Sequence, residues 1–250
     1  LTAARPRYLI TGGAGFVGSN IALQLKRDHP SADVLALDNL KRRGSELNLP
    51  RLREAGIGFI HGDVRSMDDL RGLPTITTLV ECSAEPSVLA GYQGGARYVQ
   101  DTNLTGTLNC LELVARDKAD LIFLSTSRVY PIAGINAICT EGADRFAIDP
   151  AITTAGASEQ GIREDFPLAG PRTLYGATKL ASELMTEEYA AMHGFRYTVL
   201  RCGVIAGPWQ MGKTDQGFVM LWLARHLWKQ PLSYIGFGGT GKQVRDVLHV

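Results

Sequence analysis

Little in this sequence points to metals, disulfides, membranes or nucleic acids. The four cysteines, Cys82, Cys110, Cys139 and Cys202, stand at long irregular intervals. That spacing matches neither a zinc-ligand pattern nor a dense disulfide framework, so a reducing, cytoplasmic setting is expected. The histidines, His29, His61, His193, His226 and His249, are not paired at ligand spacing, and no metal is expected. No apolar run reaches the roughly 18 residues that a membrane span needs. Residues 1–7 lack the apolar stretch of a secretory signal, and the missing initiator methionine suggests that residues precede Leu1. Lys and Arg number 26 against 25 Asp and Glu, a net charge of +1, which gives no support to a nucleic-acid binder working by bulk charge. There is no Gly-x-Ser-x-Gly elbow and no Walker lysine, which argues against serine hydrolysis and P-loop phosphoryl transfer.

What is present describes an ordinary globular chain. Hydrophobic residues make up 45% and charged residues 20% of 250, enough for a full core. Residues 7–11 read as an apolar strand, residues 12–18 as the glycine turn GGAGFVG, residues 19–29 as a helix halted by Pro30, and residues 33–37 as a second strand. The same rhythm continues with strands at 58–61, 77–81, 121–125 and 197–201, and helices at 67–73, 98–117, 173–193 and 218–229. Strands alternating with helices predict an α/β, doubly wound parallel sheet of the Rossmann type. Residues 131–172 break the rhythm and read as an excursion over the cleft. A small strand is expected at 233–236 and a turn at 238–242, and the chain stops inside an apolar, strand-like run at Val250. The expected division is a Rossmann domain over 1–203 and, from 204, a small substrate-binding region that continues beyond the given chain.

Gly12, Gly15 and Gly18 lie between a strand and a helix, where a tight turn brings backbone N–H groups, including those of Phe16 and Val17, against a pyrophosphate. Asp38 ends the second strand, where an acid hydrogen-bonds adenosine ribose hydroxyls and repels a 2′-phosphate. NAD is therefore favoured over NADP, although Lys41, Arg42 and Arg43 follow at once. Asn39 beside it, Asp63 with Val64 after the third strand, and Ser83 after the fourth join the candidate cofactor residues. Tyr175 and Lys179, four apart on a predicted helix, share a face, and a nearby ammonium favours the phenolate. Ser125, Thr126 and Ser127 end the strand before it, at the edge where parallel sheets bind ligands. Trp209 and Trp222 are candidate sugar platforms or core residues, and Gln210, Lys213, Asp215 and Gln216 are candidate substrate contacts.

The motifs TGGAGFVG, the acid after the second strand, the hydroxyl cluster followed by VY, and Y-x-x-x-K resemble the extended short-chain dehydrogenase/reductase family. More narrowly they resemble its NAD-dependent nucleotide-sugar epimerases and dehydratases. The insert before Tyr175, DQGFVMLW and GKQVRDVLHV are most similar to the subgroup of CDP-paratose (CDP-tyvelose) 2-epimerases. The resemblance implies Thr126 as the catalytic hydroxyl, Tyr175 as the base or acid, and Lys179 as its partner and a ribose ligand. It implies Asn103, in NLTGT, on the cofactor side and Arg245, in VRD, on a substrate diphosphate. It also implies a homodimer and transient oxidation to a 4-keto sugar, with NAD returned unchanged.

The departures are local. Where the family carries a histidine-alanine-alanine stretch, this chain reads Glu81, Cys82, Ser83, Ala84, then Glu85, an expected substrate contact. Ser127 and Arg128 replace the Asp-Glu pair of 4,6-dehydratases, which argues against elimination of water and makes both candidate substrate contacts. Val204 stands where a polar substrate-facing residue is usual. A different nucleotide-sugar oxidoreductase or dehydratase, and a non-enzymatic NAD sensor, are the alternatives.

Overall fold

The structure, a computed structural model, describes residues 5–92, 94–212, 216–234 and 237–250. Six strands make one parallel sheet: β1 (Arg7–Thr11), β2 (Asp33–Asp38), β3 (Gly58–His61), β4 (Thr78–Glu81), β5 (Asp120–Thr126) and β10 (Tyr197–Cys202). Their spatial order is β10-β5-β4-β1-β2-β3, every neighbouring pair parallel. The winding reverses between β1 and β4, which opens a crevice at the carboxyl edge of the sheet, the place where such folds bind ligands.

Both faces of the sheet are covered, and strand alternation sorts the core. Leu9, Leu37, Leu79, Leu121 and Phe123 pack on one side with Leu111 and Val114 of α5 (Gly106–Asp117). Ile10, Val34, Ala36 and Val80 pack on the other with Ala22 and Leu23 of α1 (Phe16–Asp28) and Leu52 of α2 (Leu49–Glu54). Burying each such aliphatic side chain contributes roughly 1.5–3 kcal/mol. The sequence pattern missed α2, a short helix with Pro50 in its first turn, because one turn and a half leaves little periodicity to read. α3 spans Met67–Arg71 and is capped by Ser66.

The helix expected at 98–117 begins earlier, as α4 (Ala96–Gln100), and passes through a π-helical turn at Asp101–Thr105 before α5. The long helix α7 (Leu174–His193) is capped by Thr173, whose Oγ1 accepts from Gly176 N at 3.2 Å, and stops at Gly194 in the left-handed region.

The excursion at 131–172 is locally folded. It holds α6 (Ile132–Ala137) and two antiparallel pairs, β6 (Cys139–Glu141) with β7 (Phe146–Ile148) and β8 (Ala157–Ser158) with β9 (Gly161–Ile162). Val129, Tyr130, Ile138 and Phe166 form its own small core. From Val204 the chain leaves the main sheet. β11 (Val204–Ala206) pairs in parallel with β12 (Val247–His249), and α8 (Phe218–Leu227) lies between them in sequence. Ser233 and Tyr234 form no strand, and the rest of the strand expected at 233–236 lies outside the described residues. No helix among the described residues is long and apolar enough to cross a membrane.

Candidate active site

The glycine turn packs as its spacing predicts. Gly12 has φ +62°, a conformation that side-chain-bearing residues rarely adopt, and a Cβ on Gly18 would sit 2.2 Å from the Gly12 carbonyl oxygen. α1 therefore starts hard against the turn. Gly15 is its N-cap, with no side chain bonding the first-turn N–H groups and no acid in that turn. Free N–H groups at Phe16 and Val17 and an uncapped helix start suit a pyrophosphate. The backbone of Cys82 and Ser83 lies against Gly12, so Ser83 joins this corner.

Asp38 reaches the same corner. Its Oδ2 accepts from Ala14 N at 3.1 Å and its Oδ1 from Leu40 N at 2.8 Å. Burial pushes its carboxyl up, while the N–H groups of Leu40, Ala14 and Gly15 oppose that. Asn39 donates to Asp63 at 2.9 Å, and Arg65 pairs with Asp63 at 2.6 Å. The Arg65 hydrogen bonds hold Asp63 down at about 2. Two of the three basic residues after Asp38 are engaged elsewhere. Arg42 donates to Gln216 Oε1 at 2.7 Å and to the Met211 carbonyl at 3.2 Å, and Lys41 lies 3.6 Å from the Tyr98 ring centroid. An uncapped helix, a tight glycine turn and an acid closing β2 fit NAD.

The candidate catalytic side chains Thr126 and Tyr175 lie at the end of β5 and the start of α7. Thr126 Oγ1 accepts from Arg128 N at 3.2 Å, and the Thr126 hydroxyl lies near enough to the Tyr175 hydroxyl to favour the phenolate. Tyr175 is 9% exposed. Burial pushes its phenol up, opposed by the Thr126 hydroxyl and the Arg128 guanidinium. A Cβ on Gly176 would sit 2.1 Å from the Arg128 carbonyl oxygen, so only glycine lets α7 press this closely on the Thr126–Arg128 turn.

Several expectations change. Lys179 shares the helix face of Tyr175, but its ammonium lies inward, 4.4 Å from the Phe123 ring centroid and facing Glu81. The cation acting on Tyr175 is Arg128. Ser125 is not turned to the cofactor cleft: its hydroxyl donates to Glu183, which is also paired with Arg201 at 2.8 Å. Alternation along β5 puts Ser125 on the Phe123 face, against α7.

Asn103 spends its whole amide internally. It accepts from Glu85 N at 2.7 Å and donates to Glu85 O and Thr178 Oγ1, both at 3.2 Å, so it holds the loop after β4 rather than reaching a cofactor. The Val64 side chain is core, packed on Gly106. Gln210 folds back, donating to Ile205 O at 2.9 Å, and Gln216 meets Arg42 on the adenosine side rather than the sugar side. Trp209 stacks under Arg51, 4.2 Å to the ring centroid, and Trp222 lies beside Tyr234, so neither is free as a sugar platform.

The remaining substrate candidates form a looser group. Glu85 is half-buried on the loop that Asn103 holds, and Val204 opens β11 opposite Val247. Ser127 and Arg128 follow Thr126 in a 3₁₀ turn. Arg245 is near enough to Arg128 for their like charges to interact, and burial with that repulsion pulls its guanidinium down. Asp215 and Lys213 lie outside the described residues. Glu183 and Arg201 escaped the sequence reading, which noted Glu81 only as a departure from the family's histidine. For Glu81 the signal was present, an acid at the end of an apolar strand. Among the described residues no group of His, Cys, Asp or Glu side chains is placed to hold a metal ion.

A parallel sheet with a glycine turn at its switch point and a tyrosine–threonine pair on its carboxyl edge defines a Rossmann-type oxidoreductive site. The chain belongs to the NAD dependent epimerase/dehydratase family, whose model matches residues 8–250. It is 30% identical over 97% of its length to CDP-paratose 2-epimerase of Salmonella typhi, covering 71% of that protein. It is 28% identical over 98% of its length to dTDP-glucose 4,6-dehydratase of Mycobacterium tuberculosis, covering 65%. Its fold matches the dTDP-glucose 4,6-dehydratase of Streptomyces venezuelae, solved with NAD bound, at a TM-score of 0.75 and 28% identity over 97% of this chain and 68% of that one. The chain thus spans about two thirds of the length of these relatives. NAD is the cofactor of the family, and the glycine corner and Asp38 fit it.

Proposed function

We propose that the chain carries the catalytic part of a nucleotide-sugar epimerase that works by transient oxidation of the sugar to a 4-keto form. The observation that carries this reading is the Thr126–Tyr175 pair at the carboxyl edge of the sheet, beside the uncapped start of α1. NAD, when bound, supplies a reversible hydride acceptor. Tyr175 takes the proton of the sugar hydroxyl, and Thr126 holds the same oxygen. Because the Thr126 oxygen already accepts from Arg128 N, its own proton is directed outward to the phenolic or sugar oxygen. Arg128, next to Arg245, supports an anionic substrate group such as a diphosphate. The acidic pair that a 4,6-dehydratase uses is replaced by Ser127 and Arg128, which favours epimerisation over loss of water.

A homodimer in the cytoplasm is part of this reading. The test is incubation of the protein and NAD with CDP-, UDP-, GDP- and dTDP-sugars in deuterium oxide. Formation of an epimer supports the reading. Deuterium entering C2 or C3 marks an enolising route, and none marks simple C4 inversion. A dehydrated product, or no turnover of any sugar, overturns it.

A further inference from the structure

Glu81 ends β4, with Thr11 opposite on β1 and Phe123 opposite on β5. In register on parallel strands, the three side chains leave one face of the sheet. That is the face where α7 places Lys179, its ammonium 4.4 Å from the Phe123 ring centroid. Glu81 and Lys179 are each only 1% exposed. Glu81 Oε1 accepts from Thr107 Oγ1 at 2.7 Å, while its Oε2 is buried with no hydrogen-bond partner among the described residues.

Glu81 at the end of β4 and Cys110 from α5 lie on the same face as the ammonium, and Cys82 and Cys202, at the ends of β4 and β10, are within its electrostatic reach. Burial keeps the three thiols protonated: Cys82 is pushed up to about 12, Cys110 well above its ordinary value, and Cys202 upward. Glu81 is the carboxylate with the largest electrostatic effect on the ammonium; Glu183, one turn further along α7, is paired with Arg201 instead. Burial pulls Lys179 toward the neutral amine and Glu81 toward the neutral acid, and each opposes the other's loss of charge. The Thr107 hydroxyl and the Phe123 ring both favour the charged forms.

We propose that Glu81 is the buried counter-charge that keeps Lys179 an ammonium and holds it on the Phe123 face of the sheet, a positioning residue for Lys179. Its consequence for catalysis rests on the oxidoreductive reading above, while the charge pairing itself does not. The test follows the Cε resonance of Lys179 through a pH titration of the NAD-loaded full chain carrying ε-¹³C-lysine, assigned by loss of the signal in Lys179→Arg. In Glu81→Gln the titration midpoint is expected to fall by about one pH unit or more. Thr107→Val keeps the carboxylate but removes its hydrogen bond, so its midpoint is expected to fall by less. Glu81→Gln preserves size and an acceptor for Thr107. Should it fail to fold, Thr107→Val decides alone. An unchanged midpoint in the variants that fold overturns the proposal. The resonance reports the lysine's charge whatever the substrate is. A normal shift with no sugar turned over would sink the catalytic reading and leave the pair standing.

Discussion

Thr126 and Tyr175 come together from two elements, the last residue of β5 and the first turn of α7, and the Thr126 hydroxyl is polarised toward the phenol by the Arg128 N–H it accepts. This geometry separates chemistry from cofactor binding, since neither side chain is needed to form the glycine corner. Tyr175→Phe is expected to keep NAD affinity within about twofold, because the ring still fills its buried place. Turnover is expected to fall by roughly 10²–10⁴, the usual worth of a positioned acid–base group. Equilibrium binding of NAD and a rate measurement on the same preparation check this. Undiminished turnover would remove the tyrosine from the mechanism.

Arg128 has a separate signature in pH. Burial raises the Tyr175 phenol, so its base form gains population only as pH rises, and kcat/KM should climb on the alkaline side. A guanidinium nearby stabilises the phenolate and moves that limb down. Arg128→Gln removes the cation and is therefore expected to move the limb to higher pH, by roughly one unit. The position of the limb is read from the profile, independently of any loss in substrate affinity. A limb that stays in place would show that Arg128 acts on substrate alone.

The parts of this molecule visible in the sequence are those written in consecutive residues. The glycine turn, the acid closing β2, and Tyr175 with Lys179 on one helix face follow from local spacing, as does the strand–helix alternation that gives the parallel sheet. The destinations of side chains are less visible. Ser125 and Thr126 are neighbours of similar chemistry, yet alternation sends only one of them to Glu183, and period-two reasoning alone could have separated them. Lys179 is brought to the Glu81 face of the sheet by packing of α7 on β5, which no spacing records. The same holds for Gln216, brought to Arg42 by a loop that crosses to the adenosine side.

Asp38 serves two functions at once, and the two can be told apart. Its Oδ2 fastens Ala14 N in the glycine turn, and its charge is expected to disfavour a 2′-phosphorylated ribose. Asp38→Asn keeps an acceptor for Ala14 N but sets its NH2 against the Leu40 N–H and loses the charge. It is expected to weaken NAD binding by about tenfold, to narrow the NAD-over-NADP preference, and to lower stability by about 1–3 kcal/mol for the one lost turn hydrogen bond. Binding isotherms for both dinucleotides test this. Equal loss for NAD and NADP would mean that the carboxylate only shapes the turn.

Glu183 ties the excursion at 131–172 to the main sheet. Its carboxylate receives Arg201 Nη2 at 2.8 Å and the Ser125 hydroxyl, and Arg201 Nη1 reaches the Glu164 carbonyl at 3.0 Å and the Tyr130 hydroxyl at 3.2 Å. The Glu183 and Arg201 side chains are only 8% and 18% exposed, so removing one partner strands a desolvated charge. Glu183→Ala is expected to destabilise the protein by about 3–5 kcal/mol, a drop in thermal midpoint on the order of 10 °C. Ser125→Ala, which leaves the ion pair whole, is expected to cost only about 1 kcal/mol. Limited proteolysis should then cut Glu183→Ala within 131–172 before the Rossmann strands, because the clamp on Glu164 and Tyr130 goes with Arg201. A thermal midpoint unchanged within about 2 °C would show that the pair is replaced by solvent at no loss, and that the excursion is held by Val129, Ile138 and Phe166 alone.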